Sequence, residues 1–330
     1  MKVLVTGGAG FIGSHACLEL LKANHKIHII DDFSTGSMQT IDRLIQISGK
    51  DIPYTKQNIL DTPKIIKIFK KFQPDVVIHF AGFKSVAESI SNPVAYYKNN
   101  ISGSISLLDA MSQTKCNKII FSSSATVYGN PIKLPLDENH PIRATNPYGQ
   151  NKIDIENLLL KDSYFNNDCS VKILRYFNPI GAHPSGKIGE SPKGIPNNLM
   201  PYILKVAQRR YQKVSVFGND YDTHDGTGVR DYIHIMDLVD GHVKALNYQK
   251  KGVSIFNLGT GHGYSVLDLI KTFERVNHIS VPFEFVNRRP GDVAVVYANP
   301  SKAESVLDFK AKKTLEDMCR DAWTFAKHNS

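Results

Sequence analysis

The stretch KVLVTGGAGFIGSHACLELLKANHKIHIID, residues 2–31, decides the fold. Lys2–Thr6 is a short apolar run that enters a glycine-rich turn, Thr6-Gly7-Gly8-Ala9-Gly10-Phe11-Ile12-Gly13. Helical spacing follows over Phe11–Ala23, and a second apolar run, Lys26–Ile30, ends at Asp31. Strand, helix and strand at this spacing form a crossover unit, so the two strands lie parallel. Glycines at 7, 10 and 13 allow a tight strand-to-helix turn, admit a pyrophosphate close to the backbone and let the helix pack on the sheet. The start of that helix offers N–H groups and a positive dipole end to phosphates. Asp31, about 20 residues past the turn, suits the hydroxyls of a ribose. Its charge repels a 2′-phosphate, and no Arg or Lys between Asp31 and Gln39 offsets it. The predicted cofactor is therefore NAD, with NADP disfavoured.

Working outward, apolar runs at Tyr54–Ile59, Val76–Phe80, Lys118–Ser122 and Val171–Phe177 read as further strands. Helical spacing lies between them near Pro63–Phe72, over Val94–Thr114 and from Tyr148 onward. Alternation of this length predicts an α/β fold, a Rossmann-type doubly wound parallel sheet covered on both faces. After Pro179 the texture changes. Gly and Pro punctuate His183–Pro201, then an apolar segment at Leu199–Ala207, a strand near Val214–Phe217 and helices near Asp237–Tyr248 and Val266–Val276 follow. The expected organisation is a cofactor domain over 1–178 and a smaller, partly interleaved α/β substrate lobe over 179–330. Residues near 231–246 are expected to return to the first domain.

Composition narrows the class. The chain has 330 residues, and 40 Lys+Arg against 31 Asp+Glu give a formal charge of +9. The basic residues never run beyond pairs such as Lys70-Lys71 and Arg288-Arg289. Such scattered pairs read as solvated surface, so no nucleic-acid partner is expected. No apolar run reaches the roughly 18–20 residues that span a bilayer, and Val3, Leu4 and Val5 are too few for a signal-peptide core. Cys17, Cys116, Cys169 and Cys319 stand apart without metal-knuckle or disulfide spacing, as in a reducing compartment. The expectation is a cytoplasmic protein without a membrane partner. His79, His183 and His234 lack partners at metal spacing, so no metal site is expected.

The second chemical signal is Tyr148-x-x-x-Lys152. A spacing of four puts both side chains on one helix face. A free tyrosine titrates near pH ~10, so it serves as a base at neutral pH only with a cation nearby. Lys152 can be that cation and can also bond a nicotinamide ribose. An isolated pair of this kind would read as surface decoration. Upstream, however, Phe121-Ser122-Ser123-Ser124-Ala125-Thr126-Val127-Tyr128-Gly129 spills hydroxyls at a strand end, where α/β sheets bind ligands. Ser124 can bond the substrate hydroxyl that Tyr148 deprotonates, and Ser122 is counted with the cofactor residues.

Together these motifs resemble the extended short-chain dehydrogenases/reductases, and among them the UDP-glucose 4-epimerase family. The resemblance runs nearly end to end, through VVIHFAGFKS (76–85), RYFNPIGAHPSG (175–186), GIPNNLMPY (194–202) and FGNDYDTHDGTGVRDYIHIM (217–236). It implies that the cofactor touches Phe11 and Ile12, then Asp31, Asp32, Phe33, Ser34, Thr35 and Gly36. It further implies Asn58 and Ile59, the loop Phe80, Ala81, Gly82 to Lys84, then Asn99, Tyr148, Lys152 and Phe177. The family often carries Asp where this chain has Asn58, whose side-chain oxygen can still accept a bond from the adenine amine. For a UDP-sugar substrate the resemblance implies Lys84, Ser124 and Tyr148, with Asn178, Asn198 and Leu199. Ser215, Val216 and Phe217 follow, with Arg230 and the run Arg289 through Asp292.

The activity so implied is interconversion of UDP-galactose and UDP-glucose by NAD-dependent oxidation at sugar C4, turning of the 4-keto sugar and reduction on its other face. Sugar-nucleotide dehydratases on this scaffold use an Asp-Glu pair just after the strand-end hydroxyl. Here Ala125-Thr126 occupies that place, and elimination without an acid and base is disfavoured. A non-catalytic NAD-sensing module would have no use for Tyr148, Lys152 and Ser124 in concert. The resemblance also implies a homodimer through a helix pair, with Val94–Thr114 and Tyr148–Asp162 as the candidates. It places a sugar-pocket gate at Val296, small enough to admit N-acetylated sugars, unless the register is shifted by one and Tyr297 fills the gate.

Overall fold

The computed structural model describes residues 1–161, 169–289 and 291–329; Asp162 of the expected dimer helix and Pro290 of the Arg289–Asp292 run lie outside them. The chain falls into two compact units. The first comprises Met1–Gly129, Pro141–Arg175 and Val239–Phe256, and the second Asn130–His140, Tyr176–Leu238 and Asn257–Ser330. Of the residues expected near 231–246, those up to Leu238 fall in the second unit and those from Val239 in the first. Phe177 and Asn178 fall in the second unit, not the first.

The first unit is built on a seven-stranded parallel sheet. Its strands are β1 (Lys2–Thr6), β2 (Lys26–Asp31), β3 (Tyr54–Lys56), β4 (Val76–His79), β5 (Lys118–Ser124), β6 (Ser170–Tyr176) and a late edge strand, Gly252–Leu258. The spatial order is β3-β2-β1-β4-β5-β6-(252–258). Successive strands thus spread first to one side of β1 and then to the other. The reversal lies between β1 and β4, and ligands of such sheets bind in the crevice at that switch point. Helices α1 (Phe11–Lys22), α2 (Met38–Ser48) and α3 (Thr62–Phe72) make the first crossovers, then α4 (Val86–Ser91), α5 (Pro93–Tyr96), α6 (Gly103–Gln113) and α7 (Pro147–Leu160) follow. Apolar positions follow each element's period. α3 buries Ile65 and Phe69 completely among Leu4, Ile30, Val77 and Leu107, with Lys70 and Lys71 outside. Burying one such side chain contributes about 1.5–3 kcal/mol, and Phe69→Ala would cost about 3–5 kcal/mol.

Three expected elements differ in a way that bears on the site. The strand at Tyr54 stops at Lys56, because Asn58 Oδ1 accepts from the Leu60 N–H at 2.9 Å and turns the chain. β5 runs past Ser122 to Ser124, so all three serines are strand residues. The helix expected over Val94–Thr114 is interrupted by a π-turn at Tyr97–Ser102. Asn100 accounts for the break: its amide donates to the Phe83 carbonyl at 3.0 Å and its Oδ1 accepts from the Phe83 N–H at 2.8 Å. Holding that loop widens the helix by a residue.

The second unit carries α8 (Leu199–Ala207) and the helices Val266–Asn277 and Leu315–His328 around a core that includes Ile203, Ile270, Phe273 and Met318. Its strands are short: Val214–Phe217 pairs with Phe283–Val286, and Val229–Arg230 pairs with Tyr264–Ser265 and Val295–Val296.

Candidate active site

The glycine turn leaves no space for side chains. Gly7 has φ +71°, and a Cβ there would sit 2.7 Å from the Ala81 nitrogen. A Cβ on Gly13 would lie 2.2 Å from the Gly7 carbonyl oxygen. Gly10 is the N-cap of α1, and no side chain caps that helix. A close backbone bend ending on an open helix N-terminus is a phosphate cradle. Phe11 and Ile12 are partly exposed beside it.

Asp31 is buried at the end of β2, where its carboxylate accepts from the Ala9 N–H at 2.9 Å and the Phe33 N–H at 2.8 Å. It is thereby tied to the glycine turn. Asp32 accepts from the Ser34 N–H at 2.8 Å and from the Asn58 amide at 2.8 Å. The Asn58 amide therefore faces a carboxylate. An Asp at 58 would set two carboxylates against each other, whereas Asn pairs with Asp32. Phe33, with φ +60°, stands edge-on to Tyr54, and Gly36 closes against Ala9, where a Cβ would meet the carbonyl at 2.9 Å. Ile59 packs on Gly103, and Thr35 lies in the same loop. These residues fit a dinucleotide: a bare helix start for phosphates and a buried carboxylate for a ribose.

On the other side of the switch point, the loop after β4 is held from below. His79 is buried between the Thr6 hydroxyl, 2.7 Å from Nδ1, and the Ser104 hydroxyl, 3.0 Å from Nε2. Burial, then the nearby Lys152 charge, push its pKa down to about 3, so the ring is neutral. The Ala81 N–H reaches Thr6 Oγ1 at 3.4 Å. The Phe80 ring lies 5.0 Å from that of His242. Asn99 donates to Asn100 Oδ1 at 3.0 Å, joining the π-turn to the clamp on Phe83 beside Gly82. The Lys84 ammonium stands 5.9 Å from the centre of the Phe11 ring, above the start of α1.

Tyr148, Lys152 and Ser124 converge. The Ser124 hydroxyl stands close enough to Tyr148 to favour its ionised form, and Lys152 Nζ donates to the Ser122 carbonyl at 2.7 Å. Lys152 Nζ lies 5.7 Å from the centre of the Tyr148 ring and 4.8 Å from that of Phe121. Burial pushes Tyr148 up to about 12, opposed by the neighbouring Ser124 hydroxyl. Burial pushes Lys152 down to about 8, opposed by the Glu156 carboxylate. Burial thus favours the neutral form of both groups, and the Ser124 hydroxyl and the Glu156 carboxylate favour their charged forms.

Within the second unit, the residues expected at the nucleotide-sugar lie on several short elements. The Arg289 guanidinium stacks 4.4 Å over the Phe217 ring, and its Nε reaches Asp292 Oδ2 at 3.3 Å. Arg230 Nη1 donates to the Val229 carbonyl at 2.9 Å, and Val296 pairs in register with Arg230. Tyr297, just past the end of that strand, packs against Gly263. Ser215 and Val216 lead up to Phe217 on one strand. Asn178 is paired with Asp231, and Asn198 donates to Glu190 at 2.9 Å just before Leu199 opens α8.

Several residues of these networks were not singled out from sequence. Glu156 continues the spacing of Tyr148 and Lys152 by four, a signal that was present. Ser89, Asn100 and Thr6 carry no such pattern. One group of ligating side chains lies within 4.8 Å among the described residues, His224, Asp225 and Asp268. Asp225 accepts there from Ser265 and Thr227, and Asp268 completes the capping box of the helix Val266–Asn277.

Comparison with known proteins follows the same lines. A family model described as GDP-mannose 4,6-dehydratase matches residues 4–322. A UDP-glucose 4-epimerase of Bacillus subtilis is 50% identical over 331 residues, covering 100% of this chain and 98% of the relative. A Homo sapiens UDP-glucose 4-epimerase is 49% identical over 337 residues, covering 99% of this chain and 97% of its own length. Among solved structures, the Bifidobacterium longum UDP-glucose 4-epimerase in complex with NAD+ and UDP superposes with a TM-score of 0.97 at 46% identity, covering 100% of this chain and 99% of that one. With such identity over its whole length, the chain belongs to the UDP-glucose 4-epimerase family, on a scaffold shared with the GDP-mannose 4,6-dehydratases.

Proposed function

We propose that this enzyme interconverts UDP-galactose and UDP-glucose by oxidising C4 of the sugar and reducing it again from the other face. The observation that carries the reading is the convergence of Tyr148, Ser124 and Lys152 at the end of β5. NAD, gripped by the Gly7–Gly13 turn and Asp31, supplies the hydride acceptor and the returning hydride. Tyr148 takes the proton of the C4 hydroxyl, Ser124 bonds the same hydroxyl, and the Lys152 charge favours the phenolate that accepts it. Once the ketone has turned, Tyr148 gives the proton back. Return to either face requires a loosely held sugar and a firmly held nucleotide. Arg230 and Arg289 are the anchors for the diphosphate, since guanidinium groups pair with its oxygens. Asn178, Asn198, Leu199, Ser215, Val216, Phe217 and Asp292 complete that grip. Elimination is disfavoured, because Ala125-Thr126 supplies neither acid nor base.

Supplying UDP-galactose to purified protein and following UDP-glucose tests the reading; protein that retains NAD but converts no nucleotide-sugar would overturn it. We assign Val296 as a gate that leaves space for an N-acetyl group, its branched side chain being stiff at χ1. Val296→Tyr is expected to suppress turnover of UDP-N-acetylglucosamine at least tenfold while sparing UDP-galactose. Equal loss on both sugars would show that Val296 is no gate.

A homodimer in the cytoplasm completes the proposal. Val94 and Tyr97, 76% and 56% exposed, form an apolar surface on the helices named for dimerisation, with Ile105 and Leu160 also exposed. Sedimentation reads the oligomeric state. The four cysteines are buried free thiols, which suits a reducing compartment. No helix among the described residues is long and apolar enough to cross a membrane.

A further inference from the structure

Three residues of α7 spaced by four meet three consecutive residues of β5. Tyr148 neighbours the Ser124 hydroxyl, Lys152 donates to the carbonyl of Ser122, and Glu156 accepts from the Ser123 hydroxyl at 2.5 Å. The proposed chemistry uses the first two pairs and leaves the third without a task. Glu156 is nonetheless completely buried. Arg175, from β6, grips it with both ends of its fork, Nε to Oε1 at 3.0 Å and Nη2 to Oε2 at 2.6 Å. Arg175 also donates to the Tyr128 hydroxyl at 3.2 Å and stacks 5.0 Å over that ring. A buried ion pair of this kind is weak as a source of stability, since well-packed apolar residues of the same volume do as well or better. Its value lies in where it fixes a negative charge.

That charge stands one helical turn beyond Lys152, on the same buried side. The other groups facing the ammonium do not replace it. β5 offers the Ser122 carbonyl and the Phe121 ring, α7 offers the Tyr148 phenol, and β4 offers His79, which is neutral. Arg175 faces Glu156 from β6 and fixes the carboxylate in place. We propose that Glu156 is a positioning residue: held by Arg175 and Ser123, it is the counter-charge that keeps Lys152 an ammonium at working pH. Burial opposes that charge and Glu156 restores part of it. The proposal rests on the reading of Tyr148 as the proton carrier only for its catalytic consequence; the effect on Lys152 stands by itself.

The test is direct titration of Lys152 by NMR in lysine-labelled protein, its signal assigned with Lys152→Met, beside the pH profile of turnover. In Glu156→Gln the midpoint of Lys152 is expected to fall by one unit or more, and the alkaline limb of kcat to move down with it. Glu156→Asp, which keeps the anion, should recover part of the shift. Glu156→Gln strands the Arg175 guanidinium, so the double variant Glu156→Gln, Arg175→Met covers the case in which the single variant fails to fold. It is expected to move the midpoint in the same direction by less. A folded variant lacking Glu156 whose Lys152 titrates within 0.3 unit of the unaltered protein would overturn the proposal. A shifted Lys152 in protein that turns over no UDP-sugar would support the counter-charge and overturn the proposed function instead.

Discussion

Helices α1 and α7 begin in opposite ways. At α1 the N-cap is Gly10, without a side-chain acceptor for the first turn. At α7 every donor of the first turn is accounted for. Pro147 has no N–H, Tyr148 N donates to Ser89 Oγ at 3.2 Å, Gly149 N to Asn146 Oδ1 at 2.9 Å, and Gln150 N to the Asn146 carbonyl at 3.0 Å. Unmet donors at a helix start are a cost that caps or ligands remove. The difference matches the roles proposed for the two helices. Where backbone is to hold an anion, its donors are left open. Where one side chain is to move a proton, the backbone beneath it is tied down completely, in part by Ser89, which also donates to the Val86 carbonyl at 2.6 Å.

The comparison can be broken most sharply at its chemical end. Tyr148→Phe removes one hydroxyl and no cap, so kcat should fall about 10²–10⁴-fold, the usual worth of positioned proton transfer. Melting temperature and cofactor content should be unchanged; near-normal turnover would remove Tyr148 from the mechanism. At the α1 end, Gly13→Ala places a methyl 2.2 Å from the Gly7 carbonyl oxygen. The expected cost is about 1–3 kcal/mol, read as a lower denaturant midpoint, together with loss of retained cofactor. Unchanged cofactor content would mean that the open helix start is not where phosphates bind. The smallest effects belong to the caps of α7. Asn146→Ala should cost about 1 kcal/mol and Ser89→Ala a similar amount, each with a loss in kcat and no change in cofactor content. If either variant instead lost cofactor and kept kcat, the division of labour between the two helices would be wrong.

How far the sequence carried depends on the range of each interaction. The strand–turn–helix–strand of residues 2–31 is legible because glycine spacing and apolar period are local, and the structure places Gly7, Gly10, Gly13 and Asp31 together as that spacing implies. Tyr148 and Lys152 are legible for the same reason, one helix turn apart. Ser124 required the further inference that β5 and α7 are adjacent. Asn100 escaped notice because its work is done on Phe83, and the π-turn it forces looks in sequence like ordinary helix. Arg175 and Glu156 are 19 residues apart, and neither has a local pattern that announces the pair. The second unit was the least legible. Its strands are two to four residues long, too short for a period of two to stand out.

The late arrival of Gly252–Leu258 also sets a timetable for synthesis. This strand is the neighbour of β6 in the finished sheet, yet the ribosome makes it roughly 80 residues after β6 ends. At about 5–20 residues per second that is an interval of about 4–16 s. Throughout it the nascent first unit presents β6 as an open edge, rich in Val171, Ile173 and Leu174, the kind of edge on which chains pair wrongly. The chain thus carries an open apolar edge during synthesis, with the glycine turn already made and the sheet beneath it still unfinished.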